Sequence, residues 1–405
     1  MLPLFALVFF LASKTRLFRF SFQESPQELV DEVWQLIDRH YVDATFNQVD
    51  WASVRMDYLG RSYSNREDAY DAIREMLEQL EDPYTRFMDP QEFRNMQIDT
   101  SGELTGVGIR IFQDEEINHI LVVAPIEDTP AFDAGVRARD VIIAIDGEST
   151  EGMALNAAVT RIRGPVGSSV KLTIQRGEQL IDFEIKRARI EIHPVRYTYQ
   201  SGTEGGIGYI RLTQFSANAA AEMRQAIQDL ERQGIIGYIL DLRSNPGGLL
   251  YSSIDIARMW LEDGNIVSTV DRQGIVDEEA ANNRALTHLP LVVLVDGGSA
   301  SASEILSGAL QDNERAVLVG TQTFGKRLVQ SVRSLPDGSG ITITESKYLT
   351  PSGRDINLLG IEPDVLVELT EEDREALSKD RGKIGTLEDP QYSRALDELS
   401  AQVRG

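Results

Sequence analysis

Residues 235–240 read Ile-Ile-Gly-Tyr-Ile-Leu, and the stretch Asp241-Leu-Arg-Ser-Asn-Pro-Gly-Gly248 follows them directly. The continuous apolar run predicts a strand over residues 236–242 that is buried on both faces, as the strands of parallel sheets are. A strand over residues 207–212 and a helix beginning near Ser216 precede it and complete a βαβ unit. The same alternation continues downstream, with a strand over 291–295, a helix over 301–311 and a strand over 316–320. The sequence therefore predicts an α/β fold.

Upstream of this unit the apolar residues follow the period of β-strands. From about Ser101, short β runs separated by turns with Gly and Pro predict a small β-rich module, with strands over 107–112, 120–123, 141–145 and 170–174. Thr105-Gly-Val-Gly-Ile109 carries two glycines, whose backbone N–H groups can face an anion because no Cβ intervenes. Ala134-Gly-Val136 and Asp140-Val-Ile-Ile-Ala-Ile-Asp-Gly147 follow at the spacing of PDZ domains. Residues 97–190 therefore resemble a PDZ domain.

Two amphipathic helices are predicted ahead of the β-rich module. Ser25-Pro-Gln-Glu28 combines an N-cap, a first-turn proline and a capping-box glutamate, and apolar residues follow at helical spacing at Leu29, Val30, Val33, Trp34 and Ile37. A second helix is predicted after Ser64-Asn-Arg-Glu67. We expect this helical segment, residues 21–96, to pack as a scaffold, with dimerisation as the alternative. Residues 371–405 are expected to form a C-terminal helical tail.

Composition limits the functions that this chain can serve. Its 405 residues exceed what one hydrophobic core usually serves, so about two to three domains are expected. Forty Lys and Arg against 64 Asp and Glu give a formal net charge of −24, which repels phosphate backbones and argues against nucleic-acid binding. The absence of Cys excludes disulfides and thiolate metal sites, and the four His form no metal-binding motif, so no metal is expected.

The first twelve residues contain an apolar run, Leu2 to Ala12, that is too short to span a bilayer but suits the core of an export signal. Basic residues follow this run at Lys14, Arg16 and Arg19 instead of preceding it. We expect residues 1–20 to be an export signal or an uncleaved membrane anchor, with a buried N-terminal segment as the alternative.

Two predicted strand ends carry the chemistry, because ligands of open α/β sheets bind at the carboxyl ends of the strands. The first is the Pro-Gly-Gly turn that ends at Gly247 and Gly248, ahead of a helix predicted to begin at Tyr251 or Ser252. Its N–H groups can face a developing oxyanion, although a plain turn explains the same residues. The second is the run of small residues that leads from Asp296 into the downstream helix, and this run leaves room for a substrate.

Three serines in that run, Ser299, Ser301 and Ser303, are candidate nucleophiles. Ser301 and Glu304 fit a capping box that places Ser301 at the helix N-cap. A capping serine needs no catalytic role, yet the amide donors at a helix N-terminus also suit an oxyanion. A capping role and a catalytic role for Ser301 require the same position at the helix N-terminus, and both stay open at this point.

Lys326, after Thr321-Gln-Thr-Phe-Gly325, is the candidate base. A lysine acts as a base only when it is neutral, so burial must lower its pKa from the usual value of about 10.4. Phe324, Gly325, Leu328 and Val329 make an apolar surround, and no acidic residue lies between Ala316 and Val332. Gln330 lies four residues on and shares a side with Lys326 in either a helix or a strand, so it can orient the amine. A surface lysine after a loop is the alternative.

Taken together, these motifs resemble those of the carboxyl-terminal processing proteases, also called tail-specific proteases. The matching segments span nearly the whole chain and are Leu80-Glu-Asp-Pro-Tyr-Thr-Arg-Phe87, the PDZ pattern, Leu240 to Gly248, Gly298-Ser-Ala-Ser-Ala-Ser-Glu-Ile-Leu306, Phe324-Gly-Lys326 and Gly360-Ile-Glu-Pro-Asp364. The resemblance implies a ClpP- and crotonase-like α/β protease core over residues 191–370, with an inserted PDZ domain and the N-terminal helical segment.

The resemblance also implies roles for individual residues. In this family the middle serine of Ser-Ala-Ser-Ala-Ser is the nucleophile and the base lysine lies 25 residues later, which selects Ser301 and Lys326 (326 − 301 = 25). It further implies Gln330 as the orienting residue and the backbone N–H groups of Gly247 and Ala302 as the oxyanion hole.

One residue departs from the family pattern, because Arg327 stands where the family usually has glycine. We expect the local backbone beside the base to differ there. We also expect the added positive charge to lower the pKa of Lys326 further.

The activity that the resemblance implies is that of a serine endopeptidase, without a cofactor, that cleaves the C-terminal region of protein substrates through an acyl-enzyme on Ser301. The loop of Gly106, Val107, Gly108 and Ile109 would hold the carboxylate of a peptide that adds as a strand beside residues 109–111. Binding there is expected to align Lys326 and Gln330 with Ser301. An inactive ligand-binding relative and a PDZ adaptor or chaperone are the alternatives.

The resemblance and the N-terminal run together predict an exported protein of the periplasm, the cell envelope or the thylakoid lumen, with membrane association through the N-terminus. In a phototroph, the implied substrate is the precursor of a photosystem II reaction-centre subunit. The sequence leaves the oligomeric state open.

Overall fold

The computed structural model describes residues 25–114, 118–126, 129–201, 205–274 and 276–404 of the chain. The apolar run that predicts an export signal or anchor, Leu2 to Ala12, lies outside the described residues. Within those described ranges, no helix has both the length and the apolarity that crossing a bilayer requires.

The N-terminal segment is helical, as predicted, and contains α1 (Pro26–His40), α2 (Trp51–Leu59), α3 (Arg66–Glu78), β1 (Arg86–Met88) and α4 (Pro90–Ser101). The capping box of α1 is confirmed, because the Glu28 N–H donates to Ser25 Oγ at 3.2 Å and the Ser25 N–H donates to the Glu28 carboxylate at 2.7 Å. The apolar face predicted for α1 is buried. These helices share one core with Ile341 and Ile343 of a later strand, so the segment packs directly onto the rest of the chain.

The β-rich module follows, with β2 (Glu103–Gly106), β3 (Ile109–Asp114), β4 (His119–Pro125), α5 (Pro130–Asp133), β5 (Val141–Ile145), β6 (Glu148–Ser149), α6 (Leu155–Ile162), β7 (Ser169–Arg176), β8 (Gln179–Lys186) and β9 (Ala188–Glu191). Its main sheet has the order β3-β4-β5-β7-β8, so β3 lies at an edge. The strand predicted from residue 107 begins at Ile109 instead, because Gly108 has a φ of +82°. A Cβ at Gly108 would come within 2.3 Å of the Thr129 side chain, so the turn requires glycine.

The remaining chain builds two more sheets from β10 (Val195–Ser201), β11 (Gly206–Leu212), α7 (Ala219–Arg232), β12 (Ile235–Asp241), α8 (Leu250–Trp260), β13 (Asn265–Asp271), β14 (Val276–Ala280), β15 (Leu291–Val295), α9 (Ala302–Asp312), β16 (Val317–Gly320), β17 (Leu328–Ser334), β18 (Gly340–Leu349), β19 (Val365–Leu366), α10 (Glu371–Lys379) and α11 (Pro390–Arg404). The first sheet has the order β10-β11-β12-β15-β16-β19 and is parallel except for β10. The strand and helix bounds agree with the predicted ones within three residues. The predicted α/β class is confirmed.

Both faces of this parallel sheet are covered. Alternate residues of β12 and β15, such as Leu240 and Val293, pack in one core with α7, α8 and α9. The intervening residues, such as Ile239 and Val292, pack against Tyr392 and other apolar residues of α11. This two-sided burial is the reason that the strands read as continuous apolar runs in the sequence.

The second sheet was not predicted from the sequence. Its order is β1-β18-β13-β14, and β17 pairs with β18. β1 comes from the N-terminal segment and pairs with β18 so that Phe87 lies opposite Ile341. Through this long-range pairing, the turn that precedes β1 lies beside β17 and β18.

A buried ion-pair cluster joins the carboxyl end of β12, at Asp241, to the start of α11. The Arg243 guanidinium contacts the carboxylates of Asp241 and Asp389 at 2.7 Å, and all three side chains are buried.

We expect Asp389→Ala to lower the free energy of unfolding by about 3 kcal/mol, because the buried Arg243 guanidinium loses one of its two carboxylate partners. Urea denaturation measures this loss, and Asp397→Ala, an exposed aspartate of the same helix, is the control. Equal effects of the two substitutions would contradict the prediction.

Candidate active site

A cavity of about 450 Å³ lies beyond the carboxyl ends of β12 and β15. Its lining includes four of the predicted site residues, Ser301, Ala302, Lys326 and Gln330, together with Gly248 of the Pro-Gly-Gly turn. Residues of the N-terminal segment and of the second sheet complete the wall. The structure therefore brings the predicted nucleophile, base and orienting residue to one cavity.

The three candidate serines have different surroundings. Ser299 is fully buried, and its hydroxyl donates to the Leu242 carbonyl oxygen at 2.9 Å. Ser303 is also fully buried, and its hydroxyl donates to the Asn245 carbonyl oxygen at 2.9 Å. Ser301 is the member of the run that lines the cavity. Geometry thus favours Ser301 independently of any family resemblance.

The backbone of Ser301 is strained. Ser301 is the N-cap of α9 and has φ 54° and ψ −111°, a conformation that non-glycine residues rarely adopt. Such residues cost about 1–3 kcal/mol and are concentrated at functional sites. Ala302, the first residue of α9, follows at the positive end of the helix dipole. Its N–H group is therefore well placed to stabilise negative charge beside Ser301.

Glu304 links the nucleophile to the base, a role that sequence reasoning missed because it treated Glu304 only as a helix cap. The carboxylate is fully buried and accepts from the N–H groups of Ser301 at 2.8 Å and Lys326 at 3.0 Å through Oε2. Oε1 accepts from the Gly325 N–H at 2.7 Å and the Thr323 hydroxyl at 2.6 Å. Burial raises the pKa of Glu304, whereas these hydrogen bonds lower it.

Lys326 lies in an environment that disfavours its charge. Burial lowers the pKa of Lys326 from its usual value, and the charge of Arg86 acts in the same direction. Asp82 and Glu304 oppose this effect. No acidic residue lies between Ala316 and Val332 in the sequence, but the fold brings Asp82 and Glu304 from outside this range close enough to act on Lys326. The Lys326 Nζ lies 4.2 Å from the centroid of the Tyr84 ring.

Arg327 does not act on Lys326 in the way predicted from its charge. Its guanidinium pairs with the carboxylate of Asp355, which compensates the charge, and its carbonyl oxygen accepts from the Tyr348 N–H at 2.9 Å. The cation that lowers the pKa of Lys326 is Arg86. Arginine in place of glycine at this position therefore adds an ion pair with the loop that contains Asp355.

Gln330 lies on β17, where a β-bulge at Val329 and Gln330 interrupts the regular alternation. Both Gln330 and Lys326 still line the cavity. The Gln330 Nε2 donates to Thr344 Oγ1 at 3.5 Å. Among the described contacts, no hydrogen bond joins Lys326 Nζ to Ser301 or to Gln330.

The predicted oxyanion loop lies against Ser301. A Cβ at Gly247, which has a φ of +101°, would come within 2.7 Å of the Ala300 carbonyl oxygen and 3.0 Å of the Ala302 nitrogen. Only glycine permits this approach. The Gly247 N–H donates to Asn245 Oδ1 at 3.0 Å, so this amide already has a partner in the structure.

The predicted peptide-binding loop, Gly106, Val107, Gly108 and Ile109, lies in the β-rich module between β2 and β3. Within the described residues, β3 pairs only with β4, which leaves its outer edge open for an added strand. No group of three or more His, Asp or Glu side chains suited to a metal ion occurs in the described part of the chain.

Parts of the chain match known protein families. Residues 206–367 match the model of peptidase family S41, residues 121–176 match a PDZ domain and residues 22–78 match the Tricorn protease C1 domain.

Individual relatives match over most of the chain. The carboxyl-terminal-processing protease of Synechocystis sp. is 46% identical over 380 residues, covering 93% of this chain and 87% of the relative. The chloroplastic C-terminal processing peptidase of Tetradesmus obliquus is 38% identical over 360 residues, covering 85% and 78%. A solved structure of a photosystem II D1 C-terminal processing protease matches with a TM-score of 0.60 and 37% identity, covering 91% of this chain and 100% of that one.

Proposed function

Because this chain belongs to peptidase family S41, among its carboxyl-terminal processing proteases, we propose that Ser301 is its nucleophile and Lys326 its general base. The chain is a serine-type peptidase that acts on the C-termini of proteins. The observation that carries the residue assignment is the shared cavity, which Ser301 alone of the three serines lines together with the partly buried Lys326.

The reaction proposed for these residues proceeds in two halves. Neutral Lys326 takes the proton of the Ser301 hydroxyl while Oγ attacks a peptide carbonyl carbon. The protonated Lys326 then gives this proton to the leaving amine, and the acyl-enzyme forms. Water, deprotonated in turn by Lys326, attacks the ester carbonyl, releases the acid product and restores Ser301.

The oxyanion of the tetrahedral intermediate would be bound by the N–H groups of Ala302 and Gly247. For Gly247 this requires its amide to exchange Asn245 Oδ1 for the oxyanion. Gln330 would orient the Lys326 amine, a contact that has to form because its amide now bonds to Thr344. We propose that a substrate bound at the PDZ module brings about this alignment.

The substrate is proposed to enter with its C-terminus on the open edge of β3, with its carboxylate bound by the N–H groups of the Gly106 to Ile109 loop. In a phototroph, we propose the C-terminal extension of the photosystem II D1 precursor as a substrate, which the name of the matching solved structure supports. Bacterial and chloroplastic relatives support an exported protein of the periplasm, cell envelope or thylakoid lumen. Membrane association through the N-terminus is proposed from the apolar run alone.

A library of matched peptides, each made with a free C-terminal carboxylate and with a C-terminal amide, tests this function. We expect hydrolysis of the carboxylate forms, with kcat/KM reduced about tenfold or more by amidation, because a charge-assisted hydrogen bond to the loop is lost. Mass spectrometry identifies the products. Ser301→Ala is the control and should release none. Equal cleavage of both peptide forms would refute C-terminal recognition, and cleavage by Ser301→Ala would refute the assignment of the nucleophile.

A further inference from the structure

The turn that precedes β1 in the N-terminal segment contributes a wall of the active-site cavity. Pro83, Tyr84 and Arg86 line the cavity beside Ser301 and Lys326. The backbone of this turn is fixed, because its Tyr84 carbonyl oxygen accepts from the Thr342 hydroxyl of β18 at 2.8 Å. The N-terminal segment therefore reaches the catalytic residues and is more than a scaffold beside them.

Tyr84 contacts the base itself. The Lys326 Nζ lies 4.2 Å from the centroid of the Tyr84 ring, a distance at which the ring face attracts an ammonium group. In the described part of the chain, the Lys326 Nζ has no hydrogen bond to a side chain and no ion pair. The Tyr84 ring is thus the contact that holds the end of a flexible side chain.

Asp82 supplies a negative charge to the same site and is held rigidly. Its Oδ1 accepts from the Tyr84 N–H at 3.0 Å, and its Oδ2 accepts from the hydroxyls of Thr85 and Thr344, both at 2.7 Å. Thr344 is also the residue to which Gln330 donates. Asp82 therefore fixes the position of Tyr84 and joins it to the orienting glutamine through Thr344.

A lysine base benefits from such a partner. Lys326 starts neutral and becomes an ammonium when it takes the proton of Ser301, so positive charge develops on Nζ in the transition state. A ring face and a carboxylate that are already in place stabilise this charge without reorganisation. The aspartate of a Ser-His-Asp triad stabilises its protonated histidine in a similar way.

We propose that Tyr84 and Asp82 are positioning residues of the base, which hold Lys326 and stabilise the charge that it acquires on taking the Ser301 proton. This inference rests on the proposed function of Ser301 and Lys326. The other charged groups that face Lys326 are Arg86, which opposes the ammonium, and Glu304, which favours it.

Two substitutions of Tyr84 separate its ring from its hydroxyl. Tyr84→Phe keeps the ring and should retain wild-type kcat, whereas Tyr84→Leu should lower kcat about tenfold with little change in KM. The acid limb of kcat/KM against pH should move to lower pH in Tyr84→Leu, because removal of the ring disfavours the ammonium and lowers the pKa of Lys326. Tyr63→Leu, a half-buried tyrosine of the same segment that does not line the cavity, is the control for folding.

Asp82→Asn provides the second test. It removes a negative charge, so it should lower kcat about tenfold and also move the acid limb to lower pH. The inference is overturned if Tyr84→Leu behaves like Tyr84→Phe. It is also overturned if activity falls while the acid limb stays in place and the melting temperature falls further than in Tyr63→Leu, since that result indicates a structural role alone.

Lys326→Met in the same assay distinguishes this inference from the proposed function. If Lys326→Met is inactive and Tyr84→Leu is fully active, only the role of Tyr84 and Asp82 fails. If Lys326→Met keeps its activity, the assignment of the base fails, and the role of its positioning residues fails with it.

Discussion

Lys326→Met should abolish peptide hydrolysis and at the same time make the folded protein more stable at neutral pH. The loss of activity should be at least about a thousandfold, because the substitution removes the group that activates Ser301. Stability should rise because Met has a similar length and can occupy the same partly buried space without a charge. This pair of effects would show that Lys326 serves catalysis and lowers the stability of the folded protein.

The sign of the stability effect follows from the pKa of Lys326, which burial lowers in the folded state. Between the folded and the unfolded pKa, the unfolded chain binds a proton that the folded chain has released, so the free energy of unfolding rises with pH. At neutral pH, burial of the Lys326 amine therefore lowers the free energy of unfolding of the wild-type protein, and Lys326→Met lacks this penalty. The stability difference should shrink as the pH rises toward the ordinary lysine pKa of about 10.4.

Thermal denaturation of wild type and Lys326→Met from pH 6 to pH 10, with peptide hydrolysis measured on the same samples, checks both parts. Lys347→Met is the matched control, because Lys347 is also half-buried, lies on β18 and does not line the cavity. It should keep activity and gain no stability. Residual hydrolysis above about 0.1 per cent in Lys326→Met, or a melting temperature that does not rise, would contradict the prediction.

The elements that the sequence predicted are those whose signals are local. The strand over residues 291–295 is buried on both faces and shows as five apolar residues in a row. The start of α1 shows in Ser25 and Glu28, because both halves of a capping box lie within one turn. In each case the residues that determine the structure are neighbours in the sequence.

The second sheet was missed because its signals are not local. β17 reads Leu-Val-Gln-Ser-Val-Arg-Ser, is only partly buried and contains a bulge, so neither strict alternation nor a continuous apolar run marks it. β18 has β1 as a partner some 250 residues away (341 − 87 = 254). Pairing at this distance leaves no pattern in either strand alone.

In the active site, the family resemblance selects Ser301 and Lys326, since the capping box places Ser301 at the N-cap of α9 without showing that it is the nucleophile. The structure adds a physical reason to prefer Ser301, because the hydroxyls of Ser299 and Ser303 are buried and donate hydrogen bonds to backbone carbonyl oxygens. Asp82 and Tyr84 belong to the motif Leu80 to Phe87, to which the sequence assigns no role. Their position beside Lys326 depends on the pairing of β1 with β18.

Glu304→Ala should have the second large effect, on folding and on catalysis together. The carboxylate accepts four hydrogen bonds, from the N–H groups of Ser301, Gly325 and Lys326 and from the Thr323 hydroxyl, and it is fully buried. Alanine leaves these donors without partners, so the free energy of unfolding should fall by about 3–5 kcal/mol. Because the same carboxylate sets the distance between the Ser301 and Lys326 backbones, kcat should fall about a hundredfold even where the variant is folded.

Glu304→Gln keeps the shape of this side chain and isolates the second effect. Its amide oxygen can accept from one pair of donors, but its NH2 group must then face the other pair, so either Ser301 and Lys326 or Gly325 and Thr323 lose their acceptor. We expect a smaller loss of stability, about 2 kcal/mol, and still a large fall in kcat with KM little changed. Urea denaturation and steady-state kinetics below the transition measure the two, and Glu372→Ala, an exposed glutamate of α10, is the control. A folded Glu304→Gln enzyme with wild-type kcat would show that this carboxylate only caps α9 and does not hold the nucleophile and the base in register.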